Sequence, residues 1–432
     1  MVIQFSVSNY RSIHKLQTLN FRATRLVSED KDVDNKNISV LNDDRILKTI
    51  GIYGPNASGK SNILRSFLFF KLMVGQSLNI ENLSKNELSS FRQSTVIEEH
   101  AGYFEMVLLI ESKKYRYGFS LNPNGEINSE WLFGPADKNE TFYFKRKTAN
   151  EHVRKSDTID YNPLWFQEGE ELPLEKLGNN VLFLSFCASY DGKISKSIQN
   201  FISDKITREP VSRRRINTFR ASSTNNHTDN LIETGDKNLV LKWLKEAGLP
   251  FSDIGLQKVE ISGRNYANFV ILSKNIYSPE GKVTGHIQMN LAEDESDGTQ
   301  KYYSYIGLLL KKFEEGGVFV SDEIDSNFHP SLVRKLISDF NNPSINKANA
   351  QLLFTSHDTN LMHPEIMRRD QFYFTEKSLM DETILYSLSD LKGIRNNADF
   401  ARQYLAGVYG ALPVLKSFME ERTSEEAGSL NQ

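Results

Sequence analysis

The sequence predicts an α/β protein built around a mixed sheet, and three observations lead there. "GIYGPNASGKSN" (51–62) sets a glycine-bearing turn between a short apolar strand and a helix with apolar residues at helical spacing. "GGVFVSDEIDSNFHP" and "AQLLFTSHDTNLM" each put another short apolar run directly before polar, chemistry-bearing residues. The chain also opens on two alternating stretches, "VIQFSVSNYRS" and "LQTLNFRA", which read as paired strands.

The remaining elements follow in order. "SEDKDVDNKN" reads as a loop, "ILKTIGIYG" as a buried strand and "SNILRSFLFFKLMV" as the helix after the turn. "YFEMVLLIES" and "KKYRYGFSLN" suit a hairpin, followed by a strand at "EINSEWLF". From about 135 to 250 the pattern changes. "VLFLSFCAS" begins an apolar segment, and "GKISKSIQNFISDKI" places Ile194, Ile198, Phe201 and Ile202 on one helical face. "REPVSRRRINTFRASSTNNHTDN" is polar and basic and is expected as a mobile loop, and "LVLKWLKEAG" is a helix closed at Gly248. Strands return at "VEISG", "NFVILSKN" and "GHIQMNLA", and a helix at "QKYYSYIGLLLKKFE". The expected division is an N-terminal lobe (1–135), a mainly helical insert with the basic loop (136–250) and a C-terminal lobe (251–432).

Composition narrows the class. The 432 residues are 39% hydrophobic and 25% charged, an ordinary globular balance. A formal net charge of -3 gives no global pull toward nucleic acid or anionic membrane, so such a contact would need a local patch. One cysteine, Cys187, leaves no internal disulfide and fits a reducing compartment. No apolar run reaches the roughly 20 residues of a membrane span. The opening residues lack the charged and apolar regions of a signal peptide, so the expected location is cytoplasmic.

Gly54-Pro55-Asn56-Ala57-Ser58-Gly59-Lys60-Ser61 fits GxxxxGK[ST] at every fixed position and continues into Asn62. Such a loop wraps tightly enough for its backbone N–H groups to converge on phosphates, and the following helix N-terminus adds partial positive charge. Lys60 is expected on the outer phosphates and Ser61 on Mg²⁺. The strand Val318–Val320 leads into Asp322 and Glu323. A carboxylate at that edge suits Mg²⁺, giving Asp322 the metal, and its neighbour Glu323 suits a general base on water. Ser296-Asp-Gly298-Thr-Gln opens a helix about 25 residues upstream of that pair. Past the next strand, His357 stands where a γ-phosphate and an attacking water could be held in line. Arg213, Arg214, Arg215 and Arg220 form a basic cluster that suits either a solvated loop or a salt-dependent grip on nucleic acid. Arg368, Arg369 and Asp370 are expected to order the end of the sheet.

Phosphate loop, S-x-G signature, strand with Asp-Glu and strand with His, in that order, resemble the ABC-type ATPases. "FSVSNYRSI" before the loop is similar to the start of SMC- and RecF-like heads. "YRYGFSL…SEWLF", "ESDGTQK", "DEIDSNFHP" and "FTSHDTNLM…RRDQFYFTEK" resemble the abortive-infection ATPases of phage defence, which include RloA-like proteins and the ATPase subunit of the PARIS system. This likeness covers about 1–135 and 285–410.

The resemblance implies an ABC-type head that sandwiches ATP and Mg²⁺ between two copies. Gly54 to Asn62, Asp322, Glu323 and His357 would serve one side, with Ser296 and Gly298 of the other copy closing the γ-phosphate. Asp325 takes the place of the D-loop aspartate, and Arg11, after Asn9, that of an arginine near the nucleotide. The signature reads ESDGTQ rather than LSGGQ, and Gln93 is only a weak match to the Q-loop glutamine. Only about 50 residues follow "FTEK", too few for the TOPRIM nuclease domain of overcoming-lysogenization proteins. The expected function is therefore an ATP-hydrolysing, dimerising sensor or scaffold of anti-phage defence, controlling a separate effector such as a TOPRIM nuclease. The alternative is a RecF-like DNA-binding clamp.

Overall fold

In the computed structural model, which describes residues 1–82, 102–136, 139–147, 158–210, 227–262 and 265–413, the chain builds two large sheets around one shared helix. The first is antiparallel throughout. It comprises β1 (Val2–Ser8), β2 (Gln17–Asn20), β6 (Gly102–Ile110), β7 (Lys113–Leu121), β8 (Ile127–Pro135), β9 (Glu140–Lys147) and β10 (Ile159–Tyr161), in the order β10-β9-β8-β7-β6-β1-β2. A small hairpin, β3 (Ile38–Leu41) with β4 (Asp44–Leu47), stands beside it.

The second sheet is mixed: β5 (Thr49–Tyr53), β11 (Ile206–Arg208), β15 (Val318–Ser321), β16 (Gln351–Thr355), β17 (Phe372–Lys377) and β18 (Thr383–Ser387). Its order is β11-β15-β16-β5-β17-β18, parallel except for the last pair. β5, β15 and β16 are buried at every position, as expected of parallel strands covered on both faces.

The helix Lys60–Gln76 covers one face and fills the space between the sheets. Phe67 and Phe70 meet Phe5 of β1 at 5.0 and 6.0 Å between ring centroids, and Phe70 stacks on Phe119 of β7 at 5.3 Å. The same core takes in Ile50, Ile52, Val318, Val320 and Leu353 of the mixed sheet. Helices Asp297–Glu315 and Pro330–Asn341 cover the other face, where Phe313 packs edge-on against Phe340 at 4.9 Å. A third sheet, β12 (Asp253–Ser262), β13 (Asn265–Tyr277) and β14 (Val283–Asn290), precedes the first of these helices.

Three stretches differ from their sequence pattern. "SEDKDVDNKN" contains a helix, Lys31–Asn37, because Asp30 caps Asp32 N–H at 2.9 Å and Asp34 accepts from the buried Arg368 guanidinium. The expected boundary at 135/136 falls between β8 and β9 of one sheet, and β10 extends that sheet further. The middle stretch does hold helices (Phe183–Ser189, Lys193–Asn200, His227–Glu233 and Lys237–Glu246), and it also lends β11 to the mixed sheet. The first residues of the expected basic loop are thus ordered, while Arg213, Arg214, Arg215 and Arg220 lie outside the described residues, as does Gln93. Among the described residues no helix is long and apolar enough to cross a membrane.

Candidate nucleotide-binding site

Strand order brings the C-terminal ends of β15, β16 and β5 side by side, so Asp322, the Thr355–His357 turn and Gly54 share one edge. Ligands of open parallel sheets collect at such an edge. Gly54 leaves β5 at φ 147°, where a Cβ would collide with the Thr375 carbonyl. Gly59, at φ 108°, opens the helix, and a Cβ there would strike the Thr383 side chain. Both positions therefore require glycine for backbone angle and for space. Between them Ser58 is buried, its hydroxyl 2.6 Å from Thr375 Oγ1 and its carbonyl accepting from Thr383 Oγ1 at 3.0 Å. Asn56 and Ala57 are exposed at the mouth, and Pro55 is half-buried.

Lys60 is buried, and its ammonium donates to the carbonyls of Gly54 at 2.7 Å and Pro55 at 3.0 Å. Burial lowers its pKa from the usual lysine value, opposed by the charges of Glu323, Asp322 and Asp325. Those three carboxylates thus face the loop lysine. Ser61 Oγ donates to Asp322 Oδ1 at 3.0 Å, and Thr355 Oγ1 donates to the same oxygen at 2.8 Å. Thr355 Oγ1 also receives the Glu323 N–H at 2.7 Å, which holds Glu323 at φ 53° with its side chain exposed. A non-glycine residue in left-handed backbone, pinned by a neighbouring strand, is what a constrained functional position looks like. Ile324 N–H bonds Thr355 O at 3.0 Å, and the His357 N–H reaches Asp325 Oδ2 at 3.2 Å. The carboxylate loop and the histidine turn are therefore laced together by one backbone bond and by the Asp325 side chain.

The opening turn also touches this edge. Asn62 Nδ2 donates to Ser12 Oγ at 2.6 Å, and Ser12 bonds Thr383 through hydroxyl and backbone. Arg11, next in the chain, has φ 53° and Asn9 has φ 49°. The Arg11 guanidinium lies 5.5 Å from the Tyr10 ring centre, and its Nε donates to Tyr10 Oη at 3.2 Å.

Ser296 and Gly298 sit elsewhere. The Ser296 hydroxyl caps the helix Asp297–Glu315 by accepting from Thr299 N–H at 3.2 Å, and its side chain is exposed. Gly298 is packed against the Asn327 carbonyl, where a Cβ would not fit. Lys301, one turn on, donates to Ser326 O at 3.0 Å. The helix start therefore grips the loop that follows Asp322 and Glu323.

Sequence reasoning singled out neither Thr355 nor Glu209. Thr355 stands inside the quoted "FTSHD" but attracted no role, because a strand-end threonine is common. Glu209 is the second residue of the stretch read as a loop. In the structure it follows the three-residue strand β11, too short for any periodicity to reveal. Its Oε2 accepts from Ser321 Oγ at 2.7 Å and from the buried Tyr305 hydroxyl, and its Oε1 accepts from Asp322 N–H at 3.2 Å.

The loop fits a polyphosphate by its glycine cradle, and the oxygens of Ser61 and Asp322 form the hard donor set that suits Mg²⁺. Residues 50–363 match the model of a protein family described as "AAA domain, putative AbiEii toxin, Type IV TA system". The fold is similar to the SMC head domain from Thermotoga maritima, at 12% identity and TM-score 0.37 over 89% of this chain and 98% of that one. It is also similar to an Smc head bound to the C-terminal winged-helix domain of ScpA (12% identity, TM-score 0.44, 90% and 99%). A third is an Smc head with an extended coiled coil bound to the C-terminal domain of ScpA derived from Pyrococcus furiosus (12%, 0.40, 94% and 99%). No curated protein matches the sequence.

Proposed function

From the premise that this chain belongs to that AAA-domain family, we propose that it is an ATP-hydrolysing, Mg²⁺-dependent subunit of ABC type. It dimerises around nucleotide and acts as sensor and scaffold in abortive-infection defence, controlling a separate effector such as a TOPRIM nuclease. One observation carries the ATPase reading: Ser61 and Thr355 converge on a single oxygen of Asp322 beside the loop lysine. That arrangement of oxygens supports a divalent-ion and phosphate site at this edge. The family description, which names a toxin of a toxin–antitoxin system, supports the defence side.

On this reading Gly54 to Asn62 hold the phosphates through backbone N–H groups, with Lys60 transferring its ammonium from the Gly54 and Pro55 carbonyls to phosphate oxygen. Ser61 and Asp322 would hold Mg²⁺, which would offset the charge of the outer phosphates. Glu323 accepts the proton of the attacking water, and His357 hydrogen-bonds near the terminal phosphate. Asp325 keeps the histidine turn in register with the carboxylate loop, and Arg11 borders the nucleotide. Ser296 and Gly298, exposed or half-exposed at a helix N-terminus, are available to the nucleotide of a second copy. ATP-driven closure would then change the surface an effector reads.

Purification of Glu323→Gln in Mg·ATP tests this. The expected result is retained ATP, a doubled mass by light scattering and a co-purifying protein. Hydrolysis at the wild-type rate by an unchanging monomer would overturn the reading. Recovery of DNA with a steep salt dependence and no protein partner would transfer it to a RecF-like clamp.

A further inference from the structure

Glu209 is far in sequence from the residues predicted at the site, yet it bonds the strand that leads into the metal ligand. Its backbone N–H continues the sheet by donating to Val320 O at 2.9 Å. Its carboxylate then closes over the end of β15, receiving the Ser321 hydroxyl and the Asp322 N–H, with Ser321 fully buried. The same oxygen that takes the Ser321 hydroxyl also receives the hydroxyl of Tyr305, fully buried on the helix that begins at Ser296. Lys301 Nζ of that helix lies 3.9 Å from Glu209 Oε2 and donates to Ser326 O.

Two predicted half-sites therefore share one frame. Asp322 and Glu323 belong to the nucleotide of their own copy, and Ser296 and Gly298 to that of the other copy. The helix Asp297–Glu315 holds both. Gly298 abuts Asn327, Lys301 binds Ser326, and Tyr305 packs edge-on against Phe328 at 5.6 Å. Glu209 is the only described side chain outside that helix and β15 that bonds to the Asp322 backbone and to the helix alike. Burial and the Glu209 charge push the Tyr305 phenol well above its usual pKa, so it remains a donor to that carboxylate. Tyr305 and Ser321 can each supply a hydroxyl hydrogen and the Asp322 amide supplies the third, which together use three of the roughly four acceptor positions of one carboxylate.

We propose that Glu209 is a positioning residue that fixes the Asp322 end of β15 against the signature helix, so that metal binding in one copy's site and closure on the other copy's nucleotide are coupled. The inference rests on the ATPase reading above. Glu209 touches neither nucleotide nor metal in this scheme; it acts through the backbone of Asp322 and the hydroxyl of Tyr305. Outer partners of metal ligands commonly change metal affinity by about 10- to 100-fold when removed.

The test compares wild type, Glu209→Ala, Glu209→Gln, Tyr305→Phe and the Glu209→Ala/Tyr305→Phe pair, all as full chains. Each is measured with a fluorescent ATP analogue in EDTA and across a Mg²⁺ titration, with urea unfolding as the control for folding. Glu209→Ala should leave analogue affinity in EDTA within about threefold of wild type and raise the half-saturating Mg²⁺ concentration about tenfold. Glu209→Gln, which keeps a carbonyl acceptor, should recover part of that loss. Tyr305→Phe should move the Mg²⁺ requirement in the same direction by less, and the pair should be no worse than Glu209→Ala alone. A folded Glu209→Ala chain with the wild-type Mg²⁺ requirement overturns the proposal, as do strictly additive effects of the pair. If Glu209→Ala fails to fold, Glu209→Gln and Tyr305→Phe carry the decision by the same readout. A wild-type chain that binds no ATP analogue refutes the ATPase reading instead, and this proposal with it.

Discussion

Glu130 and Asp322 are both carboxylates beside a strand, and their surroundings are opposite. Glu130, on β8, is buried and accepts from Tyr117 Oη at 2.9 Å, Phe183 N–H at 2.6 Å and Leu184 N–H at 2.9 Å, with Arg146 at 3.6 Å. Burial raises its pKa, while Arg146, the two amides and Tyr117 pull it down. Two of its donors are backbone amides that cannot leave, so this carboxylate is committed to joining the first sheet to the helix Phe183–Ser189. Asp322 is half-buried at a sheet edge, and its Oδ1 is held by the hydroxyls of Ser61 and Thr355. Hydroxyls rotate at little cost and can turn a lone pair toward a cation. The two carboxylates thus differ in their donors as well as in depth: fixed backbone amides hold Glu130, and rotatable hydroxyls hold Asp322 Oδ1.

The two lysines repeat the contrast. Lys60 and Lys312 are both buried and both donate to backbone carbonyls. Lys60 faces Glu323, Asp322 and Asp325, whereas Lys312 faces Lys205, Lys71 and Lys311, with Glu315 the opposing charge. The charges acting on Lys60 are all carboxylates, whereas those acting on Lys312 are mainly lysines.

The largest expected effect comes from breaking the site half of the comparison. Lys60→Ala should lower the ATP hydrolysis rate by about 10²- to 10³-fold, the scale of removing one charge-stabilising donor, with little change in urea stability. Breaking the structural half should do the reverse. Glu130→Ala leaves Arg146 buried without its carboxylate partner and should cost about 3–5 kcal/mol of unfolding free energy while ATP affinity per folded molecule stays unchanged.

A smaller effect is readable as pH dependence. Folded Lys312 has its pKa lowered to about 7 by burial, while an unfolded lysine keeps its proton to about 10.5. Between those values the unfolded chain binds more protons, so the contribution of Lys312 to stability should rise with pH, by at most about 1.4 kcal/mol per unit. Lys312→Met should flatten that rise in urea midpoints measured from pH 7 to 10; an unchanged slope would refute the assignment. The smallest effect is that of Thr355→Val, which removes one hydroxyl from Asp322 and one acceptor from Glu323 N–H. It should cost about 1–2 kcal/mol in urea stability, and equal stability of Thr355→Val and wild type would show that the hydroxyl is not engaged.

The sequence made this site legible where spacing is local. Gly54, Gly59, Lys60 and Ser61 lie within eight positions, and Asp322 with Glu323 ends a run of buried valine and phenylalanine. Glu209 was illegible because its partners are 96 to 113 residues away and its strand is only three residues long. The helix Lys31–Asn37 was missed for a related reason. Six of its seven residues are polar and Val33 alone makes no apolar stripe, and Asp34 gains its partner, Arg368, only in the folded chain. The first sheet was visible as far as β8, where alternation is clear. β9 and β10 lie in the stretch that composition alone marked as different.

The central claim is that Ser61, Asp322 and Thr355 form a ready-made divalent-ion site beside the phosphate loop. The direct measurement is ATP-analogue affinity with Mg²⁺ and with EDTA, compared between wild type and Asp322→Asn. Wild type should bind more tightly with Mg²⁺, and Asp322→Asn should lose that difference while keeping its affinity in EDTA and its urea midpoint. An Asp322→Asn chain that still tightens its grip on Mg²⁺-loaded nucleotide to the wild-type extent would contradict the claim.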